Sequence, residues 1–253
     1  MSRVYAVANQ KGGVGKTTTA VNLGACMAAA EKRVLLVDID PQANATSSLG
    51  INKNSVRRSI YDTIVAGTPL ETVLVLTKRL RLDLIPSNPA LAGAEIELVS
   101  TMAREHRLKA ALAPLRDRYD FVLIDCPPSL GLLTINALTA ADEVIVPIQC
   151  EYLPMEGLAH LLHTIALVRI NLNPVLEIKG LLMTMYDART SLAQQVVGEV
   201  RSHFPDKTFR IVVPRSVRLS EAPSYGEPTL DYAPNSPGGL AYQALAQEIM
   251  NSP

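Results

Sequence analysis

A chain of 253 residues in which nearly half are apolar can bury a sizeable core and suits one large α/β domain, leaving little room for a second. Lysine plus arginine and aspartate plus glutamate number 24 each, which excludes a chain that is basic over its whole surface and confines any nucleic-acid contact to a local patch. The three cysteines, Cys26, Cys126 and Cys150, form no CxxC pair, and no apolar run reaches the ~20 residues of a membrane span, so a reduced cytoplasmic chain is expected. Met1 to Ala8 is too short for a signal h-region. Cys26 and Cys126 read as small buried apolar residues.

Short continuous runs rich in Val, Ile and Leu recur at residues 4–8, 34–38, 82–85, 121–125, 144–147, 180–184 and 211–213. They do not alternate with polar residues, which marks strands buried on both faces of a parallel sheet. Stretches of helical period lie between them at 17–30, 104–116, 130–140, 156–170 and 192–203. The alternation predicts a doubly wound, mostly parallel α/β sheet with helices on both faces, as one domain over 1–253. Residues 52–82 are the least regular and read as a peripheral insertion. The Pro-rich run 214–237 reads as an ordered surface loop across the strand ends.

The first run leads into Gln10-Lys11-Gly12-Gly13-Val14-Gly15-Lys16-Thr17-Thr18 and then a helix, the context of a phosphate-binding loop. The glycines let successive N–H groups turn toward one point, and the helix N-terminus adds positive potential there. Lys16 is placed to reach the β- and γ-phosphates of ATP, and the Thr17 hydroxyl to ligate Mg²⁺. The plain GxxxxGK[ST] pattern fails at Gln10, and a second lysine, Lys11, precedes the glycines; this is the deviant form of the loop. Residues 121–125 end in Asp125, a carboxylate expected in the nucleotide crevice, holding Mg²⁺ through water. Residues 34–37 lead to Asp38-Ile39-Asp40-Pro41-Gln42. Asp40 is positioned to orient the attacking water, while Asp38 is open to two readings, a capping carboxylate or a functional one.

Together with Asp125-Cys126-Pro127-Pro128-Ser129, these motifs resemble the ParA/MinD group of ATPases. The stretches 151–158 (EYLPMEGL), 184–190 (TMYDART) and 214–224 (PRSVRLSEAPS) resemble its chromosome-partitioning ParA/Soj branch, and the likeness spans essentially the whole chain. The resemblance implies a homodimer that sandwiches two ATP molecules. Lys11 would act across to the partner's phosphates, much as an arginine finger does. Lys16, Thr17 and Asp125 keep their phosphate-loop roles, Asp40 serves hydrolysis but not binding, and Pro214 contacts the adenine region. It further implies an ATP-bound dimer that coats double-stranded DNA without sequence preference, and release when a ParB (Spo0J) type centromere-binding protein stimulates hydrolysis. The chain begins at the first strand, so no N-terminal helix-turn-helix extension is expected.

Residues 179–218 carry seven basic against three acidic side chains, whereas 219–253 carry four acids and no Lys or Arg. That segregation suits a phosphate-contacting face. With no aromatic interleaving and no recognition-helix motif, backbone contact is the better reading. The resemblance points to Arg189 and Arg218 as DNA-binding residues, and Arg215 of the same basic run is expected to join them. Glu156, His160 and His163 fall at helical spacing without the order of a zinc site. Ser129 reads as part of a turn near the γ-phosphate, and Glu151 and Glu156 as dimer-face residues. A membrane-cycling MinD-like role would need a basic amphipathic C-terminal helix, which residues 239–250 lack. An iron-protein role would need paired cluster cysteines. An orphan member of the group that positions another cargo stays open.

Overall fold

The computed structural model describes residues 2–150 and 155–252. Seven strands form one sheet in the order β3-β4-β2-β5-β1-β6-β7, with ranges β1 Arg3–Val7, β2 Val34–Asp38, β3 Val75–Leu76, β4 Leu82–Ile85, β5 Phe121–Asp125, β6 Glu143–Gln149 and β7 Glu177–Thr184. All pairings are parallel except the short antiparallel edge pair β3–β4. Strand alternation sends Val4 and Ala6 of β1, with Leu35 and Val37 of β2, to one core, and Tyr5 and Val7, with Leu36, to another. The first core is covered by helices that include Ile60–Ala66, Arg107–Leu112, Leu132–Ala140, Met155–Asn171 and Ser191–His203. The second is covered by Lys16–Ala29 and Pro237–Asn251. The doubly wound parallel sheet expected from the apolar runs is what forms.

The Lys16–Ala29 helix is Ala-rich and buried over most of its length. Gly24 lets it lie close against the sheet, since a Cβ there would meet Leu123 Cδ1 at 3.2 Å. The Pro237–Asn251 helix begins with Ser236, whose Oγ accepts the Gly239 N–H, and packs along the first helix. Tyr242, Leu245 and Ile249 fill the space between them. Among the described residues no helix is long and apolar enough to cross a membrane.

Three expectations need correction. Residues 211–213 are not a strand. Phe209 and Val213 donate single backbone bonds to Leu181 and Met183 of β7, and isolated bridges pair Thr208 with Leu181 and Pro214 with Tyr186. Pro214 has no N–H to continue a ladder, so the segment skirts the sheet edge without becoming an eighth strand. Residues 52–82 are not a peripheral insertion: Ile60, Ile64 and Leu70 are fully buried in the first core, and a Ser59/Asp62 capping box starts the Ile60–Ala66 helix. The helix expected over 104–116 is broken into the 3₁₀ turn Arg104–His106, the helix Arg107–Leu112 and the 3₁₀ turn Arg116–Arg118. Pro114 offers no N–H to continue the helical ladder.

Because Leu245 is fully buried between the two helices, Leu245→Ala is expected to cost about 2–5 kcal/mol of stability. Urea unfolding measures this; a loss below about 1 kcal/mol would show that the last helix does not seal this face.

Candidate nucleotide site

The C-terminal ends of β1, β2 and β5 meet at the centre of the sheet, where open α/β sheets bind ligands. The loop leaving β1 turns through Gly13 at φ 73° and Gly15 at φ 90°, angles that a β-carbon disfavours. Gly12 and Gly13 are exposed, with nothing within 4 Å of where their Cβ atoms would lie. The loop is thus a cradle open to solvent at its rim. It is tied down from below: Asn9 Nδ2 donates to Pro147 O (2.7 Å), Asn9 Oδ1 accepts the Lys11 N–H (3.0 Å), and Thr184 Oγ1 donates to Val14 O (2.8 Å).

Inside the cradle Lys16 is nearly buried, and its ammonium donates to Lys11 O at 3.0 Å. Burial lowers the pKa of Lys16, and Asp125 is the main group opposing that shift. Thr17 Oγ1 donates to Asp125 Oδ2 at 2.7 Å. Asp125 Oδ1 is buried with no hydrogen-bond partner. Asp125 is 0% exposed and stands in register beside Asp38, also 0% exposed, across the β2–β5 pair. Burial, then the charge of Asp38, pushes the Asp125 carboxyl well above the usual range. Burial raises Asp38 to about 6, against the hydrogen bonds from Thr46.

A buried carboxylate oxygen without a partner beside the Thr17 hydroxyl offers oxygen ligands that fit a hard cation completed by ligand oxygens and water, while the Lys16 ammonium suits a neighbouring anion. Among the described residues no three His, Cys, Asp or Glu side chains cluster as a protein-only metal site, and His160 and His163 are exposed.

Asp40 lies two residues past Asp38 and is almost buried. Its Oδ1 accepts the Gln42 N–H at 2.9 Å. A cleft of about 280 Å³ runs beside Gly15 and Thr18 and is walled by Thr184, Met185, Pro214, Leu219 and Tyr242. Pro214 therefore stands next to the phosphate loop. Ser129 is exposed, and its carbonyl accepts the Thr134 hydroxyl at 2.6 Å. Residues 151–154 and the side chain of Glu156 lie outside the described residues, so the expectations for Glu151 and Glu156 fall there.

The expected basic face does not form as the charge count suggested. Lys179 is buried against Glu143 at 3.5 Å, near the start of β7. Lys207 donates to Ile178 O and pairs with Glu177, toward that same end. Glu248, counted with the acidic tail, accepts the N–H groups of Arg210 and Ile211. Arg189, Arg215 and Arg218 are all exposed, and Arg189 and Arg215 follow the opposite end of β7, where Tyr186 and Pro214 are bridged. Arg189 makes a two-pronged pair with Asp187 (2.9 and 2.7 Å), which holds that carboxyl down at about 2. Arg218 pairs with Glu221 at 2.8 Å, and the Arg215 N–H donates to Tyr186 O.

Sequence reading missed Asn9, Thr46, Ser87 and Thr184. Each is a small polar residue whose role comes from a partner far along the chain, so no local pattern could single it out.

A glycine-rich loop between a parallel strand and a buried helix, with Lys16, Thr17 and Asp125 converging beneath it, defines a P-loop nucleotide-binding protein of the α/β class. A family model described as an AAA domain matches residues 2–178. The sporulation initiation inhibitor protein Soj of Bacillus subtilis is 56% identical, covering 98% of both chains. The chromosome partitioning protein ParA of Caulobacter vibrioides is 52% identical over 98% of this chain and 94% of its own. Among solved structures, a Mycobacterium smegmatis protein titled cobyrinic acid a,c-diamide synthase, with bound ADP and magnesium, matches with a TM-score of 0.86 and 41% identity over 98% of this chain and 93% of that one. The chain belongs to the ParA/Soj family of chromosome-partitioning ATPases.

Raised carboxyls have a consequence for stability. Asp38 and Asp125 hold their protons more tightly folded than unfolded, so their stabilising share is complete below about pH 4 and is lost as pH rises through about 6 and beyond. Asp125→Asn keeps an acceptor for Thr17 and removes the buried charge. Without nucleotide or divalent cation it is expected to be more stable than wild type at pH 8, on the order of 1–3 kcal/mol, with the difference vanishing near pH 4. Urea unfolding at the two pH values checks this, and equal stability at pH 8 would count against it.

Proposed function

We propose that the protein is a Mg²⁺- and ATP-dependent dimerisation switch that binds DNA without sequence preference in its ATP state and lets go after hydrolysis stimulated by a ParB-type partner. The observation that carries this reading is the set of Lys16, Thr17 and the partnerless buried Asp125 oxygen beneath an open glycine rim. Identity of 56% to Soj across 98% of both chains supports the partitioning role. Bound Mg²⁺·ATP supplies the scissile phosphoryl group and the charge that satisfies the buried carboxylates. Lys16 would exchange its resting bond to Lys11 O for the β- and γ-phosphates. Thr17 and, through water, Asp125 would hold the cation. The amides of Gly12, Gly13, Val14, Gly15 and Thr18 line the anion cradle, and Pro214 borders the cleft suited to the base. Asp40 orients the attacking water. The exposed rim at Gly12 and Gly13 gives a second subunit room to bring its own Lys11 to the phosphates.

The last helix supports this reading over membrane cycling, because its apolar side is consumed by the core.

Lys16→Ala is expected to lose ATP binding, Lys11→Ala to bind ATP but dimerise poorly, and Asp40→Ala to dimerise yet hydrolyse at a small fraction of the wild-type rate. Light scattering with ATP and a phosphate-release assay separate these outcomes, and normal dimerisation by Lys11→Ala removes its role across the interface.

Asp40→Ala holding ATP is expected to bind a random-sequence duplex with an affinity that falls steeply with salt, while ADP-bound protein binds weakly or not at all. Adding Arg189→Glu is expected to cost at least tenfold in that affinity without altering dimerisation. Unchanged affinity would move the DNA face elsewhere.

A further inference from the structure

Three buried polar side chains surround the Asp40 peptide. Asp38, at the end of β2, accepts three hydrogen bonds: from Asp40 N–H on Oδ1 (3.2 Å), and from Thr46 N–H (2.8 Å) and Thr46 Oγ1 (2.7 Å) on Oδ2. The Thr46 hydroxyl in turn accepts the Ser87 N–H at 2.9 Å. Ser87 Oγ donates to Asp40 O at 2.7 Å, closing a ring of contacts around one peptide. Asp38, Thr46 and Ser87 are all 0% exposed. Ser87 lies just past the end of β4, the strand neighbouring β2.

The turn that follows is tight. Ala43 N–H also donates to Asp40 O at 2.8 Å, and Ala43 adopts φ 52°, unusual for a residue with a β-carbon. Both the N–H and the C=O of Asp40 are thus fixed from outside the turn. The side chain is separated from that fixed peptide by only two rotatable bonds, and the Gln42 N–H restrains it further. Gln42 N–H takes one carboxylate oxygen, and the other makes no hydrogen bond among the described residues. A free carboxylate oxygen on a peptide held this rigidly suits a group that must point at one water.

We propose that Asp38, Thr46 and Ser87 form a bracket of positioning residues that aims the Asp40 carboxylate for hydrolysis. The proposal rests on the reading of Asp40 given above. It also resolves the two readings of Asp38, whose carboxylate is a cap, but one that holds Asp40 in place. Misaiming a reacting group by about 1 Å costs up to roughly a hundredfold in rate. The bracket therefore governs turnover without touching nucleotide.

The test measures single-turnover hydrolysis at saturating Mg²⁺·ATP, together with ATP affinity, in the full chain. Ser87→Ala and Thr46→Val remove one hydroxyl each and change no charge. Each is expected to slow hydrolysis about tenfold and leave ATP affinity within about twofold. Thr46→Ser keeps the hydroxyl and is expected to restore turnover. In an Asp40→Ala background, adding Ser87→Ala is expected to cause no further loss, because the bracket acts through Asp40. Wild-type turnover in Ser87→Ala, or an equal loss with and without Asp40, overturns the proposal. Should Thr46→Val not fold, Ser87→Ala and its combination with Asp40→Ala decide the matter alone. Normal turnover in Asp40→Ala itself would instead overturn the reading on which the bracket depends.

Discussion

Two aspartates side by side at the ends of adjacent strands, both withdrawn from water, are the constraint around which the site is arranged. Burying one carboxylate is costly, and burying two within one ladder step adds mutual repulsion. The structure meets the cost on one side and leaves it open on the other. Asp38 is satisfied by three donors from its own neighbourhood. Asp125 has the Thr17 hydroxyl, the nearby Lys16 charge and one empty oxygen. That asymmetry divides them: Asp38 is tied into the loop after β2, whereas Asp125 keeps one buried oxygen unpaired.

The sheet places these groups without any one of them having to seek its partner. Parallel strands end together, so the residues that follow β1, β2 and β5 share one edge, and an order in which β1 lies between β5 and β6 opens a crevice there. Because both faces of the central strands are buried, their sequences are apolar throughout and were readable as strands. The phosphate loop was readable for a different reason: its glycines, lysines and threonines are consecutive, so the site is written in one stretch of nine residues.

What was not legible has a common cause. Residues 52–82 have no repeating pattern, yet Ile60, Ile64 and Leu70 reach the core through short pieces whose burial depends on the rest of the fold. Val213 looked like strand, but the chain beside β7 bonds only intermittently. The charge count along 179–253 failed because salt bridges are made in space: Glu248 returns to Arg210, and Lys179 is spent on Glu143. Thr46 and Ser87 carry no motif, because what defines them is a contact between residues 41 apart in sequence that follow adjacent strands.

The contact between the first helix and the last bears on how the chain is made. Thr19 and Tyr242 share a hydrogen bond at 3.0 Å across 223 residues of sequence. The helix that carries Lys16 and Thr17 is made more than 200 residues before the Pro237–Asn251 helix that packs along it. Until that helix arrives, the core that Leu23 and Met27 share with Tyr242, Leu245 and Ile249 is incomplete, and the nascent chain carries a sticky flank. Closure of this face therefore waits on the Pro237–Asn251 helix, and long-range closure of this kind sets a slow folding step.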